Sequence, residues 1–113
     1  MLVNLALNAQ IRHATTDGKL ELYIADSGYS IYVSNKYSTP IGIFYKYEVS
    51  VISKEDKKEI DKYVITDAYG CVDANDTKQL RNFINKAPPN SNYFFNITNV
   101  YIDDFYEIKK CNN

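Results

Sequence analysis

Apolar and polar residues alternate most regularly along the stretch from Ile41 to Ile52. Its even positions are mixed, whereas its odd positions are all apolar or aromatic: Ile41, Ile43, Tyr45, Tyr47, Val49 and Val51. Because successive side chains of a strand point to opposite faces, this period of two predicts a long β-strand with one buried face. β-branched and aromatic residues suit such a half-buried surface. We therefore predict a central strand over residues 41–52, with Ile43, Tyr45, Tyr47 and Val49 in the core.

The same period predicts three strands before the central one, over residues 2–13, 20–25 and 29–34. Asp17-Gly18 and Asp26-Ser27-Gly28 separate them, and both stretches are rich in the residues that tight turns favour. Pro40 cannot donate a hydrogen bond to a neighbouring strand, so the central strand is expected to begin after it. These four strands are predicted to form an antiparallel meander.

Two helices are predicted after the meander. Ser53 precedes Glu55 and Asp56, a combination typical of a helix start, and apolar residues then recur at helical spacing up to Val64, which predicts a helix over residues 53–68. Asp76 and Gln79 have the spacing of a capping box, which predicts a second helix over residues 76–87 with Leu80 facing the core.

The C-terminal part returns to strand patterns. Residues 93–97 read as a strand, and the apolar positions then change from odd to even numbers, which indicates a bulge or turn at Thr98-Asn99. Asp103-Asp104 is expected to form a hairpin turn, and residues 109–113 a frayed polar tail. The predicted fold is α+β: a single domain spanning residues 1–113, with an antiparallel meander of about five to six strands and two helices packed on one face.

Size and charge limit the function classes. A chain of 113 residues is long enough to bury a core of its own. Its formal net charge of −1 makes a nucleic-acid partner a poor expectation, because such partners favour a basic surface. No apolar run approaches the roughly 20 residues that span a bilayer, so no membrane partner is expected.

The cysteines bear on the compartment. Cys71 and Cys111 lie far apart in sequence, and they can pair only if their Cα atoms approach within about 7 Å. The start of the chain lacks the basic and continuous apolar segments of a signal peptide. We therefore expect two free thiols and a cytoplasmic location.

Few residues indicate a catalytic, metal or cofactor site. His13 is the only histidine, and we expect it to lie at a strand end with a backbone partner. No zinc-ligand set, phosphate-binding loop or other cofactor motif is present, so no cofactor is expected. Asp103 and Asp104, with Glu107 nearby, are the one carboxylate group that suits a metal-dependent reaction.

A binding surface is the stronger candidate. The polar face of the predicted meander carries aromatic and charged side chains: Glu21, Tyr23, Tyr32, Phe44, Lys46 and Glu48. Aromatic residues with charged neighbours are typical of protein interfaces, where a few aromatic anchors supply most of the binding energy. The competing interpretation is that the C-terminal segment covers this face.

The sequence thus favours a small module that binds a protein partner and neutralises or inhibits it. Toxin immunity proteins, antitoxins and phage counter-defence inhibitors from bacteria and their viruses are comparable in size and composition, although this is an analogy and not a resemblance in motifs. The alternative is a small metal-dependent nuclease or nucleotide hydrolase that uses Asp103, Asp104 and Glu107.

Overall fold

The computed structural model describes residues 11–82 and 90–111, and of Asn82 it describes only the backbone. Strands make up 68% of this part of the chain, and its one helical element is a short 3₁₀ turn at Asp26–Gly28. No helix in the described residues is long and apolar enough to cross a membrane. The predicted α+β class is wrong, because both segments expected to be helical contribute strands.

In residues 11–82 and 90–111, seven strands form two antiparallel sheets. The strands are β1 (Arg12–Ala14), β2 (Leu20–Ala25), β3 (Ser30–Asn35), β4 (Ile41–Ser53), β5 (Glu59–Val72), β6 (Asp76–Asn82) and β7 (Tyr93–Glu107). The first sheet has the order β1-β2-β3-β6, and the second has the order β5-β4-β7. The predicted single meander is therefore wrong. β2 and β3 pair as expected, but β3 then pairs with β6 and not with β4. β4 is the middle strand of the second sheet. Most of the strand predicted over residues 2–13 lies outside the described residues.

The central strand is confirmed. β4 covers Ile41–Ser53, and all the apolar side chains at its odd positions are buried, including Tyr45 and Tyr47. All of them except Val51 form one core with Leu22, Val33 and other side chains of the first sheet. Burial raises the pKa of the Tyr45 hydroxyl, and the nearby Arg81 offsets part of that rise. Leu80, also predicted for the core, is partly buried and packs against it.

The first predicted helix is a β-hairpin. Ser53 does cap the following residues, since its Oγ accepts the backbone N–H of Glu55 at 3.3 Å. The cap closes a turn, and the chain returns as β5 beside β4. Apolar residues with helical spacing here also fit a strand, because Tyr63 faces the core while Val64 pairs with Glu48 on the other face. Long-range pairing with β4 overrides the local preference.

The second predicted helix is also a strand where the structure describes it. Asn75, with φ of 54°, makes a tight turn that leads into β6. β6 pairs with the outer side of β3 as far as Asn82, and residues 83–87 of the predicted helix lie outside the described residues. The capping-box spacing at Asp76 marks a turn rather than a helix start.

β7 is one long strand with two bulges. The first leaves Thr98 unpaired between Ile97 and Asn99, which confirms the predicted bulge. The second leaves Asp103 unpaired, because Phe44 pairs with Asp104 while the next residue of β4 pairs with Ile102. The hairpin turn predicted at Asp103-Asp104 is wrong. The second bulge also reverses which side chains of β7 face outward.

A disulfide holds the end of the chain. Cys71 of β5 is bonded to Cys111, and their Cα atoms lie 5.7 Å apart. The predictions of free thiols and of a frayed tail over residues 109–111 are therefore wrong. The pairing of β5 and β7 on opposite sides of β4 brings these distant cysteines together, a relationship that sequence spacing alone does not reveal.

Candidate binding surface

Three aromatic rings pack together on the outer face of the second sheet. Phe44 of β4 lies between Tyr69 of β5 and Tyr106 of β7, with ring centroids 5.0 and 6.2 Å away. The hydroxyls of Tyr69 and Tyr106 share a hydrogen bond at 3.4 Å, and this bond, together with desolvation, raises the pKa of Tyr69. Nevertheless the three side chains remain 38%, 49% and 43% exposed. We call Phe44, Tyr69 and Tyr106 the aromatic surface.

Gly42 makes this packing possible. It pairs with Cys71 on one side and with Tyr106 on the other, two residues before Phe44 on the same face of β4. A Cβ at this position would lie 2.7 Å from the hydroxyl oxygen of Tyr69 and 3.2 Å from Cζ of Tyr106. The two tyrosine rings therefore use the space that the missing side chain leaves open.

A polar strip continues along the same face. Lys46 lies over the ring of Tyr101, 5.3 Å from its centroid, and its Nζ is 4.0 Å from an oxygen of Asp103. The Tyr101 hydroxyl donates to Glu48 at 3.1 Å, and Lys62 forms an ion pair with the same carboxylate at 3.4 Å. These contacts neutralise the strip internally, so it borders the aromatic surface without a strong charge of its own.

The C-terminal segment borders the aromatic surface at its other end. After β7, Ile108 donates its N–H to the carbonyl of Pro40, and the chain then crosses to β5, where Cys111 joins Cys71. We call residues 108–111 the strap. Ile108, Lys109 and Lys110 line a groove of about 460 Å³ together with Tyr69 and Cys71. The groove and the aromatic surface therefore share Tyr69.

The structure divides the predicted patch into two groups. Phe44, Lys46 and Glu48 lie on the outer face of the second sheet, as just described. Tyr23 and Tyr32 belong to the first sheet, where they pair across β2 and β3 with stacked rings 5.7 Å apart. Glu21 lies beside them and forms an ion pair with Arg12 at 2.8 Å.

The candidate metal ligands do not converge. Asp103 contacts Lys46, Asp104 accepts the backbone N–H of Phe105, and Glu107 accepts a bond from the Thr39 hydroxyl. No group of three or more His, Cys, Asp or Glu side chains in the described residues is placed to hold a metal ion.

His13 has the backbone partner that was predicted. Its Nδ1 accepts the N–H of Ile102 on β7 at 2.9 Å, and this bond links the first sheet to the second. The rings of His13 and Tyr101 also pack in a T-shaped arrangement, with their centroids 6.2 Å apart. This histidine joins the two sheets.

A second cleft, of about 540 Å³, lies where the β1–β2 turn meets β7. Asp17 is at its rim, where it accepts bonds from the Thr15 and Tyr37 hydroxyls at 2.6 and 2.5 Å. These bonds, with that from the backbone of Lys19, hold the pKa of Asp17 at about 2. The Asp17 carboxylate thus links the β1–β2 turn to the loop between β3 and β4, which connects the two sheets.

Sequence reasoning missed Tyr69 and Tyr106. Tyr69 fell just after the supposed helix, and Tyr106 was in phase with the apolar residues Val100 and Ile102. The bulge at Asp103 moves Tyr106 to the outer face, opposite to the phase of Val100. One signal in the sequence could have located Tyr106 on the outer face. Asp103 and Asp104 interrupt the apolar alternation of this segment, and such an interruption is as consistent with a bulge as with a turn.

Comparison with protein-family models, curated proteins and solved structures found no match to this chain.

Proposed function

We propose that this chain is a protein-binding module that neutralises or inhibits a larger protein partner, and that it docks through the aromatic surface. The observation that carries the proposal is the packing of Phe44, Tyr69 and Tyr106 on an open sheet face while each ring remains more than a third exposed. Aromatic residues held in place by neighbours lose little entropy on binding and are the usual anchors of protein interfaces.

The surroundings support a binding role. The polar strip beside the aromatic surface is internally paired, which resembles the polar rim of an interface more than a catalytic pocket. The metal-dependent alternative requires Asp103, Asp104 and Glu107 to act on one ion, and each of them has a different partner. Binding is for this reason the better-supported proposal.

The disulfide also bears on where the protein works. The expectation of a cytoplasmic location rested on two free thiols, and the Cys71–Cys111 bond removes that support. Stable disulfides are typical of oxidising compartments. We therefore favour an oxidising setting, and mass spectrometry of the alkylated protein from its source will test it: two alkylated cysteines would restore the cytoplasmic interpretation.

Partner capture from source cells tests the binding proposal. The Phe44→Ala, Tyr69→Ala double variant should reduce recovery of a specific partner at least tenfold relative to the parent. Tyr32→Ala, which removes an aromatic ring from the other sheet, is the matched control and should leave recovery unchanged. Inhibition is then measured directly, as the activity of the recovered partner with and without added parent protein.

Three results would contradict the proposal. Equal recovery with the parent and the double variant would remove the aromatic surface from the interface. Loss of the partner in Tyr32→Ala but not in the double variant would assign binding to the first sheet. A partner whose activity does not change on binding would exclude inhibition. Circular dichroism of all variants establishes that they fold.

A further inference from the structure

We infer that the aromatic surface and the disulfide-held strap form one site, which receives an acidic segment of the partner protein. This inference rests on the proposed function and adds the chemistry of the partner. The groove of about 460 Å³ beside the strap is continuous with the aromatic surface, because Tyr69 belongs to both. A segment lying across the three rings therefore reaches Lys109 and Lys110.

The charges of the strap lysines indicate that the docked segment of the partner is acidic. Lys109 and Lys110 are both exposed, and in the part of the chain that the structure describes neither forms an ion pair. Lys46 and Lys62, the other lysines of this face, are already paired with Asp103 and Glu48. The uncompensated positive charge of the face thus lies at the strap, where it complements carboxylates.

The disulfide prepares the two lysines for binding. The strap is anchored on one side by the bond from Ile108 to Pro40 and on the other by the Cys71–Cys111 bond. A segment held at both ends has less conformational freedom to lose when a partner docks. Reduction releases one anchor, so affinity for an acidic segment should depend on the oxidised state.

The far end of the face gives the docked segment a direction. Asp104 pairs with Phe44 across the strands and forms no ion pair in the described residues, whereas Lys46 offsets the charge of Asp103 at the bulge. Carboxylates of a partner are therefore attracted to the strap and repelled by Asp104. The acidic residues of the segment therefore lie over Lys109 and Lys110, and its apolar residues lie over Tyr69 and Tyr106.

Synthetic peptides test the inference without knowledge of the natural partner. Three fluorescent 12-residue probes alternate leucine with glutamate, glutamine or lysine, and a 12-nucleotide oligothymidylate serves as a different polyanion. Titration followed by fluorescence anisotropy at low salt should show at least tenfold tighter binding of the glutamate peptide than of the glutamine peptide. The preference should disappear in the Lys109→Gln, Lys110→Gln variant and fall after reduction with dithiothreitol.

The Lys54→Gln, Lys58→Gln variant is the matched control. It removes two exposed lysines from the turn between β4 and β5, at the other end of the second sheet, and should keep the preference. Loss of the preference in this control would show that overall charge, and not the strap, attracts the peptide. Equal binding of the oligothymidylate, or no binding of the glutamate peptide at millimolar concentration, would overturn the inference.

Tyr69→Ala separates this inference from the proposed function. If the rings anchor the segment, this variant weakens both the glutamate and the glutamine peptide. If it weakens both while the lysine variant changes neither, the aromatic surface binds but the acidic preference is wrong. If the Lys109→Gln, Lys110→Gln variant loses the preference for the glutamate peptide while Tyr69→Ala binds both peptides like the parent, the strap attracts anions and the proposed aromatic anchor is wrong.

Discussion

Gly28 lies directly against the side chain of Asn96, and this contact joins the turn between β2 and β3 to strand β7. A Cβ on Gly28 would stand 1.7 Å from Oδ1 of Asn96 and 3.3 Å from the backbone oxygen of Ile97, so the Asn96 side chain would have to move aside. Its φ of 96° is also strained for any residue with a side chain. The chain therefore needs glycine here for two independent reasons.

Gly28→Ala is expected to lower the free energy of unfolding by about 3 kcal/mol or more, because backbone strain and a steric clash add together. Gly18→Ala is the matched control: its φ of 73° is similarly strained, but no atom lies within 4 Å of the added methyl group. It should cost only the strain, about 1 kcal/mol. Urea denaturation measures both, and equal losses would mean that Asn96 moves aside freely.

The two faces of β4 should respond differently to truncation. Ile43→Ala removes a fully buried side chain from the shared core and should cost about 2–5 kcal/mol, from lost burial and the cavity left behind. Lys46→Ala removes only an exposed ion pair and a ring contact, and should cost under about 1 kcal/mol. Similar losses at both positions would show that another part of the chain covers the outer face.

Strands with a long, regular alternation can be predicted from this sequence, but most of their partners in the sheets cannot. β4 was predicted almost to the residue because its alternation is long and uninterrupted, and the bulge at Thr98 was visible as a change of phase. The segments that begin at Ser53 and Asp76 failed because side-chain caps look alike at a turn and at a helix start. Only pairing with β4 and β3 decides between them.

The binding surface was predicted in part for the same reason. Phe44 could be assigned to an outer face from the phase of β4 alone. Its neighbours Tyr69 and Tyr106 come from strands that pair with β4 over long sequence distances, and a bulge sets the phase of Tyr106. Tyr23 and Tyr32 appeared to be neighbours of Phe44 only while a single sheet was assumed.

Loss of the disulfide should destabilise the protein. The Cys71→Ser, Cys111→Ser double variant is expected to lose about 2–4 kcal/mol, since the bond closes a loop between residues 40 positions apart. Reductant should lower the melting temperature of the parent protein toward that of the variant and leave the variant unchanged. Identical melting of parent and variant without reductant would instead support the free thiols that the sequence led us to expect.

The hydrogen bonds around Asp17 should make stability depend on pH in a defined range. Thr15 and Tyr37 donate to this carboxylate and lower its pKa from an ordinary 3.8 to about 2 in the folded protein. In the unfolded chain these bonds are lost, so the unfolded state takes up a proton at higher pH. The stabilisation by ionised Asp17 is therefore complete above about pH 5 and is lost as the pH falls from about 4 to about 2.

Urea denaturation of the parent protein and of Asp17→Asn across this range measures the effect. The difference between their free energies of unfolding should be constant near neutral pH and shrink below about pH 4, because both side chains are then uncharged. Tyr37→Phe removes one of the donors, so the same comparison in that background should show a smaller pH-dependent difference. A difference that stays constant down to pH 2, or an Asp17 pKa near 4 by NMR titration, would show that the two hydroxyls do not hold the carboxylate in solution.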